Sequence, residues 1–444
     1  MNPAAPRPDQ PAQIAPGQVT RAHDGTSRRA FLGGAGRLAG LAGLTGTGLA
    51  AGGLGSLLAG CGGTSAAAVP PMLKLPDPQH PVLWPVTPDN QAIPSGQPPE
   101  HNGTLRVLSW PGRVSQRCVS DFAKAFQCAV EVSTFTTITQ GISLLARGHG
   151  QYDLLAGAPT DVLGTLITRS LVQPVNHSYI PYIRQAWPVF TDPWYDSHWQ
   201  YTVPFGIYTT GIAWRRDKID IDPYTLRNAW QFPWIAKAAG RTGVLDDYRQ
   251  SLGLALMTSD PRDIDTADPY LVNLARRRLL NLSRLTGGLR IDNNAAKQLA
   301  TTQSWVHLAW SGQAVAAARA LPPGVPIEVI GYWFPPTGIG PVTTDTFTVA
   351  RGARNPVLAH LFCNFMLAHR NAMQNIAATG FMQPLTYAAP HRLIDLGILP
   401  ASLTSAAVSS TYFDHGLKMT ELEPSADELW QQAWTDITRQ SRKR

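Results

Sequence analysis

Aromatic rings and carboxylates recur together in this sequence at the ends of short apolar runs. "VLSWPGRV" closes such a run on Trp110, and "YTVPFGIYTTGIAWR" carries Tyr201, Phe205 and Tyr208. "VLDDYRQS" sets Asp246 and Asp247 at a strand-to-helix turn. "HLAWSGQA" ends a strand on Trp310 and opens a helix at Ser311, and "TTDTFTVA" places Asp345 just before an apolar run. In open α/β sheets, ligands bind beyond the carboxyl ends of the strands. Rings and acids there suit an organic cation: the carboxylates neutralise it and the ring faces add cation–π attraction. Each residue also has a plain structural use. A strand-end Trp packs in a core, and an Asp ahead of a helix caps it, a role that Asp246 fits. The joint pattern carries more weight than any member.

Signatures of bond-making chemistry are absent. The sequence holds no H-E-x-x-H, G-x-S-x-G, P-loop or C-x-x-C. The glycines between positions 33 and 55 follow no strand, so they form no nucleotide loop. The eleven histidines are scattered. His198, His307, His360, His369 and His391 show no metal-ligand spacing, and His307 falls mid-strand, where packing is expected. No metal, no cofactor and no catalytic residue is expected, and the chain reads as a non-enzyme. Cys118, Cys128 and Cys363 allow at most one internal disulfide, with buried thiols the other expectation.

The elements that position these residues alternate. Strand-like Thr104–Trp110 is followed by a helical pattern over Cys118, Val119, Phe122 and Phe126, a strand over 129–135, a helix over Ile138–Ala146 and a short buried strand over Tyr152–Gly157. The pattern returns with strand Thr242–Leu245, helix Tyr248–Met257, helix Pro269–Leu285, strand Trp305–Ala309, helix Gln313–Ala320 and strand Pro326–Ile330, and from Pro356 the tail is helical. Repeated βαβ units predict a mainly parallel sheet between helices, in a body of about two lobes' size. No 20–50-residue repeat suggests a solenoid. Net charge is +7, with no basic tract interleaved with aromatics, so nucleic acid is not indicated.

The amino-terminal part reads as a targeting segment. Arg28 and Arg29 precede a Gly-rich, uncharged stretch, Leu38–Ala59. This is the n-region and h-region of an export signal, and the paired arginines resemble the twin-arginine signal. Leu58-Ala59-Gly60-Cys61 resembles a bacterial lipobox, which makes Cys61 the expected lipidation site and residues 1–60 the signal peptide. Two or three acyl chains hold a protein on a membrane stably. Ten prolines between Val69 and Glu100 predict an extended, semi-rigid spacer, so 61–102 is expected to be a tether.

From about Leu105 to Tyr387 the chain resembles the spermidine/putrescine-binding proteins of bacterial ABC importers, within the family 1 extracellular solute-binding proteins. The landmarks, in order, are "VLSWPGRV", "GQYDLLAG", "YTVPFGIYTTGIAWRRDKI", "NAWQFPWI", "GVLDDYRQSLGLAL", "HLAWSGQAVAAARAL", "TTDTFTVARGARNPVLAHLFCNFML" and "AATGFMQPLTYAA". The resemblance implies an α/β, two-lobed type II periplasmic-binding-protein fold with a ligand cleft between the lobes. Lobe one would span 103–212 and 343–395, and lobe two 213–342 and 396–444. It implies a lipid-anchored monomer outside the cytoplasm that delivers a polyamine-like solute to a permease with its ATPase.

The resemblance also implies site residues. Trp110 and Phe381 would wall an alkyl chain, Asp247 and Asp345 would pair with amine ends, and Trp310 would stack on the closing side. Phe381 stands where polyamine binders carry a Tyr. Other positions depart from the pattern. Gly112, followed by Arg113, replaces an acid, as does Gln250; Thr343 replaces a Trp; Ala158 and Thr160 stand near an expected Ser and Tyr. An ammonium buried without a carboxylate is costly, so spermidine is poorly served. A shorter diamine retains Asp247 and Asp345, and a zwitterionic or partly anionic solute has Arg113 with one Asp. A sensor or interaction lipoprotein on the same scaffold is the rival class, since fold alone does not fix function.

Overall fold

The computed structural model describes residues 75–442, apart from 237, 260 and 261. The export and lipidation residues, Arg28, Arg29 and Cys61, lie outside the described residues.

Among the described residues the strands are β1 (Thr104–Ser109), β2 (Ala129–Thr134), β3 (Leu154–Pro159), β4 (Val203–Arg215), β5 (Thr242–Val244), β6 (Arg290–Ile291), β7 (Val306–Trp310), β8 (Ile330–Trp333), β9 (Pro341–Val349) and β10 (Leu417–Lys418). They connect in the order β2-β1-β3-β9-β4-β7-β5-β6, with β10 beside β9 and β8 beside β4. The array is two half-sheets sharing β4. Val203–Thr209 of β4 pairs with β9, and Thr210–Arg215 pairs with β7 and β8. In one half β1 runs parallel to β2 and β3, and in the other β5 runs parallel to β6 and β7.

The array is therefore mixed rather than mainly parallel. β4 and β9 carry the chain between the halves, and a returning strand runs against its neighbours: β9 is antiparallel to both β3 and β4. Every residue of β4 and β9 is buried, so neither shows the alternation of a half-exposed strand.

Local sequence sets most helix limits. Pro269–Leu285 is a helix with the expected bounds, capped by Asp268, whose carboxylate accepts from the Tyr270 N–H. Gln116–Phe126, Ile138–Arg147, Tyr248–Leu256 and Ser311–Arg319 are also helical. The expected strand over Pro326–Ile330 is instead a 3-10 turn at Ile327–Val329 leading into β8. Pro326 opens the turn, and the apolar run that follows makes the strand. The last helix, Pro424–Arg442, packs on helices Tyr248–Leu256 and Pro269–Leu285 through Leu252, Leu279 and Trp430.

The proline-rich stretch is extended, but from Val82 onward it is laid on the body instead of standing off it. Trp84 is buried, and its indole N–H donates to the Tyr195 carbonyl at 2.8 Å. Asn90 Nδ2 donates to the Val172 carbonyl at 3.0 Å. The Glu100 carboxylate accepts from the Val357 and Leu358 N–H groups, each at 2.9 Å, at the start of helix Pro356–Leu367. Apolar residues among the prolines thus find buried surface. Cys118, Cys128 and Cys363 are free thiols, the first and last of them buried.

Candidate functional site

β1 hands the chain to a turn at Trp110–Arg113. Gly112 takes the left-handed conformation, φ +72°, that this turn requires. The Arg113 N–H returns to the Trp110 carbonyl at 3.4 Å. Asn375, from helix His369–Thr379, clamps the turn: its Nδ2 donates to the Arg113 carbonyl at 3.2 Å and its Oδ1 accepts from the Ser115 N–H at 2.8 Å. Trp110 lies flat on β3 because its indole N–H donates to the Gly157 carbonyl at 2.8 Å. Gly157 sits at a bulge with φ +97°, and a Cβ there would stand 2.7 Å from the indole.

Four of the five expected site residues meet beyond this turn. Trp310, ending β7, faces Trp110 edge-on with 5.6 Å between centroids. Tyr208 of β4 lies 5.6 Å from Trp310 and 6.3 Å from Phe381. Asp345 of β9 accepts from the Tyr208 hydroxyl at 3.3 Å. At the centre is a cation that the chain itself supplies. The Arg113 Cζ stands 3.4 Å from the Phe381 centroid, 4.8 Å from Tyr208 and 5.5 Å from Trp310. Arg113 Nη2 is 2.9 Å from Asp345 Oδ2, with the two side chains 2% and 1% exposed.

Desolvated cation–π contacts contribute up to about 2 kcal/mol, and removing one member of a buried pair costs about 3–5 kcal/mol. The cage therefore needs both charges. Burial raises the Asp345 pKa, while Arg113 and the Tyr208 hydroxyl pull it down. The pairing is not saturated. Among the described residues, Arg113 Nη1 and Trp310 Nε1 are buried with no hydrogen-bond partner, while Asp345 Oδ2 is engaged by the Arg113 ion pair. Trp110, Arg113, Trp310 and Phe381 line a cavity of about 420 Å³ together with Lys297 and Gln313.

Asp247 stands in a separate acidic region. It, not Asp246, caps helix Tyr248–Leu256, because its extended backbone lets its carboxylate accept from the Gln250 N–H at 3.1 Å. Near it is Asp161, in the turn after β3. Among the described residues, no hydrogen bond or ion pair holds the Asp161 carboxylate. Its pKa is pushed up to about 7 by burial and by Asp247, Asp265 and Glu421, against the pull of Arg249. Burial also raises the Asp247 pKa. Arg249 is already engaged, paired with Asp265. Glu421 accepts from the Thr165 N–H at 2.8 Å. Asp161, Thr165, Tyr248, Arg249, Glu421 and Asp427 line a cavity of about 520 Å³. Burial raises the Tyr208 pKa, and Asp345, Asp161 and Asp247 raise it further against the pull of Arg113.

Two residues, Tyr208 and Asp161, escape the ligand set expected from sequence, and a third, Arg113, enters it only as the partner of a zwitterionic or partly anionic solute. Tyr208 is visible only as one ring among several in a buried strand. Arg113 is noted there as a departure from a family pattern, yet nothing local shows that it turns inward. Asp161 sits in "GAPTD" and reads as an ordinary acid ahead of a short helix. Its signal is its place after a strand end, the same signal that singles out Asp247. His307 is buried with its pKa lowered to about 4; its ring packs so closely on Gly243 that a Cβ there would fall 2.1 Å from it.

Comparison with known proteins gives a consistent picture. Residues 118–395 match the model of a family described as bacterial extracellular solute-binding protein. The chain is 25% identical over 284 residues to spermidine/putrescine-binding periplasmic protein 1 of Haemophilus influenzae, covering 63% of this chain and 75% of that one. It is 24% identical over 346 residues to a putrescine/cadaverine-binding protein of Pseudomonas aeruginosa, covering 75% of this chain and 93% of the relative. Its fold resembles that of the TpPotD lipoprotein of Treponema pallidum, with a TM-score of 0.62, 20% identity, and coverage of 75% of this chain and 99% of that one.

Proposed function

This chain belongs to the bacterial extracellular solute-binding proteins, and we propose that within that family it captures a small amine-bearing solute between two lobes for an ABC importer. As a member it binds a solute and does not transform it, and it works outside the cytoplasm. The observation that carries the amine is Asp161: a carboxylate that lines the cavity of about 520 Å³ and that no hydrogen bond or ion pair holds among the described residues, with Asp247 one of the acids that act on it. The two acids come from different half-sheets, one after β3 and one after β5. A cation between them would hold both halves, and a ligand can drive closure only through such differential contacts.

The names of the relatives point to polyamines. In this chain the amine end rests on Asp161 and Asp247. Trp110, Trp310 and Phe381 wall the cleft, and Asp345 acts through Arg113. We place the lobes at 103–212 with 343–395 and at 213–342 with 396–444, flexing where β4 changes partners between Thr209 and Thr210. Export through Arg28 and Arg29 and lipidation at Cys61 would keep the trap beside its permease, as a monomer.

A thermal-shift panel tests the amine. A ligand at 100-fold its Kd adds about 2.7 kcal/mol of stability, so amine-bearing solutes should raise the midpoint. Both Asp161→Asn and Asp247→Asn should lose most of the rise. Equal shifts in the wild type and both variants would overturn the assignment of the amine end.

A further inference from the structure

In resting on an amine held by Asp161 and Asp247, the structure assigns one thing more: Arg113 is a tethered cation that fills the second amine position, so the solute carries a carboxylate at that end. Three observations converge. First, the elements of an ammonium cage are present and already occupied. Phe381, Tyr208 and Trp310 surround the Arg113 guanidinium, and Asp345 neutralises it. A second cation at this end would face Arg113 directly, since the carboxylate that would receive it is taken.

Second, the occupied cage has donors to spare. Arg113 Nη1 and Trp310 Nε1 are both buried without partners, and both residues line the same cavity. Buried donors are normally satisfied, and a guanidinium matches a carboxylate in geometry and charge. Third, that cavity also carries the cation Lys297, and its carboxylate, Asp292, already accepts from the Asn294 N–H at 2.6 Å and from Gln298 Nε2 at 2.7 Å. Asp292 is thus held in place by neutral donors, and Arg113 and Lys297 are the cations on this cavity that can meet an anionic group. With amine acceptors at Asp161 and Asp247 and carboxylate donors at Arg113 and Trp310, the fitting class is an aminocarboxylate, a zwitterion with its two charges apart.

Isothermal titration of the full chain tests this with 4-aminobutyrate, 5-aminovalerate and lysine as aminocarboxylates, putrescine and cadaverine as diamines, and butylamine and butyrate as single-ended controls. In the wild type at least one aminocarboxylate should bind ten times or more tighter than the diamine of matching length. Arg113→Ala should abolish that preference and raise diamine affinity, because Asp345 and the ring of Phe381 become free for an ammonium. That variant leaves Asp345 buried alone. The neutral double variant Arg113→Gln with Asp345→Asn removes both charges, and it should lose aminocarboxylate binding without gaining diamines. A wild type that prefers diamines overturns the inference, and so does one that binds no member of the aminocarboxylate series. Arg113→Ala or double variants that keep the aminocarboxylate preference overturn it as well. Failure of the amine end reads differently: Asp161→Asn and Asp247→Asn would then leave both series unchanged.

Discussion

Asp161 shows how one side chain can tie affinity to pH. Its folded pKa of about 7 lies above the ordinary carboxylate value of 3.8, so between those values the folded chain holds more protons than the unfolded one. Stability then falls as pH rises through that window. Ligand binding runs the other way. An ammonium selects the ionised carboxylate and displaces its proton, so affinity should climb with pH up to about 7, by at most about tenfold per unit, and then level off. The groups that act on Asp161 are Arg249, Asp247, Asp265 and Glu421. Asp196, also raised to about 7, is held by backbone donors and contributes to the stability slope alone. In Asp161→Asn, thermal midpoints measured from pH 4 to 8 should slope less steeply than in the wild type, and the pH dependence of binding should flatten. An unchanged binding profile would remove Asp161 from the site.

At the scale of elements, Asp247 has two duties that mutation can separate. As the cap of helix Tyr248–Leu256 it satisfies the Gln250 N–H, and as an acid it is the proposed partner of the amine. Asn caps about as well as Asp, whereas Ala costs about 1 kcal/mol. Asp247→Asn should therefore hold stability to within a few tenths of a kcal/mol while weakening amine binding about tenfold or more. Asp247→Ala should lose both. Urea midpoints and titrations on the two variants check the split; Asp247→Asn with wild-type affinity would leave the residue a cap and nothing else. The same scale explains the mixed sheet. A helix declares itself over a dozen residues, as Pro269–Leu285 does. The direction of β4 and β9 depends on partners far along the chain.

For the whole molecule, closure around one solute predicts a change of shape. β4 is the strand common to both half-sheets among the described residues, and Trp110 and Trp310 meet from opposite sides. Small-angle scattering should show a smaller radius of gyration once a binding aminocarboxylate is added. The change should vanish in Asp161→Asn with Asp247→Asn, because each half then loses its hold on the amine. A radius indifferent to a ligand that titration shows to be bound would exclude lobe closure.

The sequence by itself determined the alternation of strands and helices, the absence of enzyme motifs and the set of rings and acids at strand ends. These follow from local spacing and residue type; the family pattern also named Trp110, Asp247, Trp310, Asp345 and Phe381 together, and the fold gathers all of them but Asp247. Only the tertiary structure decided what that site holds. Arg113 and Asp345 are remote in the chain and come within 2.9 Å in the fold. Asp161 and Asp247 acquire their coupling only when two half-sheets face each other. Periodicity is a property of neighbours along the chain, whereas the charge of a cleft is a sum over residues that meet only in space. For that reason rings and acids could be read as a cation site with Arg113 near it, while the seating of Arg113 among the rings, paired with Asp345, could not.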